Sequence, residues 1–186
     1  MGKRSLLILG IALLIIAFLF LRAEHKERGG KENLEKAGGE MPLLEAEGIN
    51  LMEWDDYGRK TWELQADSGK EFVKETVLNK ARISFFQEGV LVSEGEAEKL
   101  IVNNQTSELL LQERVKIVSY LDGAELFTSN LKWLATEKKL YTKERVLFKR
   151  GNLIMEGREL IASPDLSQIV IKKEVTTRLI KIGGKI

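Results

Sequence analysis

Three observations on this 186-residue chain predict an all-β fold. From residue 42 onward, apolar and polar residues alternate with period two; turn pairs such as Asp122-Gly123 separate the alternating runs; and one strand pattern returns about every thirty residues. The expected architecture is antiparallel hairpins stacked into two sheets that share one core, preceded by a single N-terminal transmembrane helix.

The clearest hairpin is LLLQERVKIVSYLDGAELFTSNLKWLA, from Leu109 to Ala135. In an extended chain Leu109, Leu111, Val115 and Ile117 share one face while Gln112, Arg114 and Lys116 share the other. Glu113 alone breaks the apolar face, Asp122-Gly123 turns the chain back, and Phe127, Leu131, Trp133 and Ala135 are expected on the inward face of the return strand. The unit recurs. Aligning Glu-Arg-Val at 113–115 with Glu-Arg-Val at 144–146 matches Leu109 with Leu140 and Ile117 with Phe148. A further shift places Ile169 on Leu140 and Val175 on Val146, and Asn79-Lys80-Ala81-Arg82-Ile83 resembles the same strand upstream. Each unit is two strands and a turn, and each lends its apolar face to a common interior.

The remaining elements follow in order. Ser5 to Leu21 is a run of seventeen residues with no charge, flanked by Lys3, Arg4 and Arg22. As a helix it spans roughly 25 Å, which snorkelling basic residues extend to the hydrocarbon thickness. A cleaved signal peptide has a shorter apolar region and a small-x-small site, and Leu21-Arg22-Ala23 is a poor one, so the expectation is an uncleaved anchor over 1–22. Its N-terminus is expected in the cytoplasm, with the C-terminal domain translocated. Residues 23–41, charged and punctuated by Gly29-Gly30 and Gly38-Gly39, are expected to form a tether. It holds the one histidine, His25, which in a solvated linker is a plain surface residue.

The folded domain is expected over 42–178, with 179–186 as a tail. Gly48-Ile49-Asn50-Leu51 is a short strand, Asp55-Asp56-Tyr57-Gly58 a turn, and Trp62, Leu64 and Ala66 the inward residues of the next strand. Residues 70–75 suit a loop or an irregular strand start. Val77, Ala81, Ile83 and Phe85 then form an inward stripe, Glu88-Gly89 turns it, and Leu100 and Val102 precede the Asn103-Asn104 turn. Beyond the central hairpin, Leu140, Val146 and Phe148 repeat the pattern, and Arg150-Gly151-Asn152 turns it. The apolar stripe moves from Leu153 and Met155 to Leu160 and Ala162 across Gly157, which predicts a one-residue bulge. The last strand, carrying Ile169, Ile171 and Val175, is expected at an edge.

Composition excludes several kinds of function. With 29 basic and 28 acidic side chains the net charge is +1, so no general attraction to nucleic acid exists. The absence of cysteine removes disulfides, thiolate zinc sites and thiol catalysis. No phosphate loop, histidine pair or nucleophile elbow is present, and neither a metal nor a cofactor is expected. Glu113 and Glu144 occupy matching repeat positions on inward parity; a local bulge or a place near the mouth of the structure accounts for them better than a carboxylate pair does. What remains is geometry. Ile83, Phe85, Leu100, Leu109, Val115, Phe127, Trp133, Leu140, Phe148, Met155 and Ile171 form a large inward set. A filled core explains them without a ligand. An open trough for acyl chains is the alternative, and periodicity does not separate the two.

In order and spacing the chain resembles the LptC family, the membrane-anchored subunit of the lipopolysaccharide export machine. The residues that carry the resemblance are MGKRSLLILGIALLIIAFLFL, GINLMEWDDYGRKTWELQADSG, SEGEAEKLIVNNQTSELLLQERVKI and FTSNLKWLATEKKLYTKERVLFKRGNLIMEGRELIASPDL. The repeat also looks like that of LptA and the N-terminal domain of LptD, and the anchor favours LptC among them. The resemblance implies a twisted, V-shaped antiparallel β-jellyroll in the periplasm, held to the inner membrane by a single pass, and no enzyme activity. It implies that lipopolysaccharide comes from the inner-membrane ABC transporter (LptB, LptF, LptG). Its acyl chains would lie against Ile49 and Val77 and the inward set just named. Burial at about 0.8 kcal/mol per CH₂ would hold them. It further implies that the C-terminal edge, about Ser167 to Arg178 with Ser167, Ile169, Ile171, Lys173 and Val175, pairs with LptA by strand addition, and that the N-terminal edge meets a transporter subunit. Pro164 would keep the C-terminal edge clean, and the apolar tail TTRLIKIGGKI leaves its end open. An anchored assembly protein with a filled core, acting only through its edges, is the alternative function.

Overall fold

The computed structural model describes residues 41–134 and 136–180. The expected anchor, nearly all of the tether, Ala135 and most of the tail therefore lie outside the described residues. The described residues contain no helix and, in particular, none long and apolar enough to cross a membrane.

Nine strands run in sequence: β1 Leu44–Trp54, β2 Lys60–Glu71, β3 Glu75–Gln87, β4 Val90–Asn103, β5 Leu109–Ser119, β6 Glu125–Leu134, β7 Lys139–Arg150, β8 Leu153–Ala162 and β9 Ile169–Leu179. Each pairs antiparallel with its neighbours in chain order, so the sheet is a meander with β1 and β9 at its edges. Two separate sheets were expected; one hydrogen-bonded sheet is found. It is jellyroll-like in enclosing its own interior, yet no connection crosses another.

How one sheet makes two layers is visible in the register. Cα pairing is interrupted on one line that crosses every strand, through Gly48, Asp67, Lys80, Glu98, Glu113-Arg114, Ser129, Lys143-Glu144, Glu159 and Glu174. Within strands, the left-handed residues all fall on this seam: Gly48 (φ 62°), Lys80 (49°), Glu113 (63°), Arg114 (52°), Glu159 (60°) and Glu174 (52°). From β4 to β9 the register also slips by one residue on this line, as at a bulge, which bends its strand and sharpens the local twist. From β1 to β4 the line continues as unpaired residues without a slip, left-handed at Gly48 and Lys80. The halves ending in the β2–β3, β4–β5, β6–β7 and β8–β9 turns form layer one. The halves ending in the other four turns form layer two.

The layers pack face to face. In a flat sheet β3 and β6 stand about 14 Å apart, yet the Phe85 ring of layer two lies 5.3 Å from the Trp133 ring of layer one, tilted by 52°. Between them Leu64, Leu78, Ile83, Leu100, Leu111, Ile117, Leu126, Leu131, Leu140, Phe148 and Leu160 are at most 2% exposed. The turns match the sequence where glycine supplies a positive φ, as at Gly58, Gly89, Gly123 and Gly151. Residues 72–74 are the short β2–β3 connection, closed by the Phe72 N–H donating to Glu75 O over 2.8 Å.

Candidate functional site

Most of the expected inward residues line this interior. Ile83, Phe85, Leu100, Val115, Leu140 and Phe148 are buried, and Ile49, Leu109, Trp133, Met155 and Ile171 are half-buried against them. Two residues do not line it. Leu78 is 1% exposed and Val77 lies on the opposite face, because the left-handed backbone of Lys80, unpaired opposite Glu98, inverts the parity read back from Ala81 without a slip in register. Phe127 is likewise outside. Reading back by twos from Leu131 points to it, but the register shifts between Thr128 and Lys132, and Leu126 is the buried residue. The Phe127 ring instead sits between the ammonium groups of Lys116 and Lys149, at 5.5 and 5.2 Å from its centroid.

The seam also settles the two glutamates. Glu113 is exposed, turned out of inward parity by its left-handed backbone, and Glu144 lies where three steps of β7 face two of β8. Val115 and Val146, the valines of the repeated Glu-Arg-Val, return to the interior immediately afterwards, so the repeat is a bulge signature. The change of parity expected beside Gly157 is present: the register with β9 slips between Glu156 and Arg158, where the extra residue lies on β9, and β8 itself turns left-handed at Glu159. Gly157 itself permits close approach of β9: a Cβ there would meet Ile171 Cγ2 at 2.5 Å and the Lys173 carbonyl oxygen at 2.8 Å.

The outer face is charged and cross-linked. Arg82 bridges Glu96 at 2.7 Å and Glu94 at 3.5 Å, and the Glu96 hydrogen bond raises the guanidinium pKa. Lys116 pairs with Glu125 at 2.9 Å, which raises the ammonium pKa in the same way. A groove of about 630 Å³ lies across β6 to β9, lined among others by Phe127, Leu147, Glu156 and Thr176; these are outward residues. The interior by contrast is occupied by buried apolar side chains.

Both edges present apolar side chains. Met52 and Trp54 are exposed on β1, and Val170, Val175 and Leu179 on β9. Strand β9 starts at Ile169, so Ser167 precedes the edge; its N–H and hydroxyl are both bonded to Asp165 Oδ1. The strand continues to Leu179 and takes up the first residues of the apolar tail. Glu159 holds β9 to β8 through Lys172 at 3.1 Å and Lys173 at 2.8 Å; Lys173 is the larger cause of the lowered carboxyl pKa.

Sequence reasoning missed one group. Leu166, in the β8–β9 loop, is fully buried, and its carbonyl accepts a hydrogen bond from Arg150 Nη2. Ser93, also fully buried, donates its hydroxyl to the Pro164 carbonyl at 2.8 Å. Periodicity carries no sign of these contacts, since Leu166 lies outside any strand.

These features define a class: a meander sheet folded over an apolar interior, with an edge strand at each end. The family model described as "Lipopolysaccharide-assembly, LptC-related" matches residues 7–180, and the chain belongs to that family. No curated protein matches it. The family is an inner-membrane-anchored component of lipopolysaccharide transport and is not a known enzyme family.

Proposed function

We propose that this chain accepts lipopolysaccharide from the inner-membrane transporter LptB, LptF and LptG, shelters its acyl chains between the two layers, and passes it to LptA paired on β9. The observation that carries the reading is the open sheet: its interior is predominantly apolar, yet its first and last strands stay at edges. Acyl chains gain about 0.8 kcal/mol per buried CH₂, so a groove of this composition retains lipid without hydrolysing anything. The single-pass anchor at 1–22, with the folded domain in the periplasm, belongs to the same proposal. So do the interior contacts at Ile49, Ile83, Phe85, Leu100, Leu109, Val115, Trp133, Leu140, Phe148, Met155 and Ile171. The edge contacts are Ile169, Ile171, Lys173 and Val175, with backbone groups of β9 templating the partner strand.

Membrane vesicles carrying the transporter and the full chain test this directly. ATP-dependent appearance of lipopolysaccharide on added LptA is expected with the chain and not without it. Equal transfer from vesicles lacking the chain would refute the proposal. The filled interior favours a second reading, an assembly protein acting through its edges alone, which predicts LptA capture with no lipid on the chain.

A further inference from the structure

The β8–β9 loop, Ser163 to Gln168, has two sets of contacts that differ in kind. Its internal contacts are many and local. The Asp165 carboxylate accepts from the Ser163 hydroxyl at 2.5 Å and from the Ser167 N–H at 3.0 Å, and Ser163 N–H donates to Gln168 O at 2.9 Å. The loop is therefore a braced unit. Its external contacts are few, and they cross the layers. From layer one it reaches to layer two, where Ser93 and Arg150 hold the carbonyls of Pro164 and Leu166 and the Leu166 side chain fills the space between. In a flat sheet β4 and β8 lie about 19 Å apart, so these bonds exist only while the sheet is folded over.

Two features show that the closed arrangement is poised. Leu166, a γ-branched residue, sits in the left-handed region at φ 57°. The buried Arg150 Nε lies 2.8 Å from Asp122 Oδ2 as an ion pair but lacks hydrogen-bond geometry to any acceptor.

We infer that the Ser163–Gln168 loop is a clasp that holds the two layers shut and must release before acyl chains can enter between them. The inference rests on the proposed lipid-carrying interior. The layers bend along the seam, at Glu98 on β4, Lys143-Glu144 on β7 and Glu159 on β8, so releasing three contacts loosens the layer ends while the strand ladders stay paired. Ligand that binds only the open state has its apparent affinity reduced by the open fraction. Removing one buried hydrogen bond raises that fraction about fivefold.

The chain has no cysteine, so Ser93→Cys with Pro164→Cys gives a unique pair for a short, reducible bis-methanethiosulfonate bridge. The full chain in detergent micelles is incubated with fluorescent lipopolysaccharide and recovered by affinity tag. The bridged form is expected to capture at least about tenfold less than the same protein after reduction, as removal of the open state requires. Equal capture by bridged and reduced forms overturns the clasp and leaves the lipid reading intact. No capture by any form, the unmodified chain included, overturns the lipid reading and the clasp with it. Should the cysteine variant not fold, Ser93→Ala decides: amide exchange in the loop and lipid capture rate are expected to rise together about fivefold. Faster exchange with unchanged capture would overturn the clasp.

Discussion

Gly157→Ala places a methyl group where β8 and β9 touch. The new Cβ would meet Ile171 Cγ2 at 2.5 Å, the Lys173 carbonyl oxygen at 2.8 Å and Val175 Cα at 3.4 Å. The first is a side-chain tip that can turn away. The other two are backbone, and they yield only if β9 moves off β8. Inserting one methyl into a packed site costs about 1–3 kcal/mol, and 1.4 kcal/mol is tenfold in an equilibrium, so opening of β9 should become roughly 5- to 150-fold more frequent. The cost is local because β9 has one neighbour. Hydrogen exchange by mass spectrometry on the full chain should show faster exchange over Ile169–Leu179, with β2 to β5 unchanged. Gly48→Ala is the contrast: nothing lies within 4 Å of its added Cβ, and its φ of +62° costs about 1–2 kcal/mol at the opposite edge. Exchange should then quicken in β1 and not in β9. Unchanged β9 exchange in the Gly157 variant, or an equal rise in every strand, would refute the close-approach argument.

Three further outcomes follow from the same geometry. Leu166→Ala should destabilise the fold by about 2–5 kcal/mol in urea titration, as expected for a fully buried leucine and not for a loop residue. Glu113→Gly, which removes the left-handed penalty, should leave stability unchanged or raise it by up to about 1 kcal/mol, whereas Glu113→Val should lower it by about 1 kcal/mol or more. Burial opposes ionisation of Asp165, but hydrogen bonds from Ser163 and Ser167 outweigh it and hold the carboxyl below its ordinary value. A depressed pKa contributes stability above the unfolded value that is lost as pH falls through the folded one. The urea midpoint should therefore drop below about pH 4, and Asp165→Asn should remove part of that slope.

Much of the fold was legible because strands and tight turns leave strong local marks. Leu64 and Ala66, Ala81 to Phe85, and Leu140 were placed correctly by parity, and glycine marked the turns at Gly58, Gly89, Gly123 and Gly151. Parity failed at Val77 and Phe127, where the ladder is interrupted at Lys80 and at Ser129 and no glycine announces the break. At Gly157, where a glycine does stand beside the bulge, the shift was read correctly. The number of sheets was not legible. Alternation shows that one face of each strand is buried, and it says nothing of whether two buried stretches belong to one bent strand such as Val90–Asn103. The clasp left no mark at all, since Leu166, Ser93 and Arg150 meet only through the tertiary fold.

The central claim is that lipid travels inside the sheet, and photo-crosslinking in transporting vesicles tests it most directly. A photoreactive residue at Phe85 or Met155, both lining the interior, should yield lipopolysaccharide adducts that depend on ATP. The same residue at Phe127, Arg82 or Lys116, all on the outer face, should yield none. Adducts at Phe127 equal to those at Phe85, or none at either interior position from folded, anchored protein, would contradict the account.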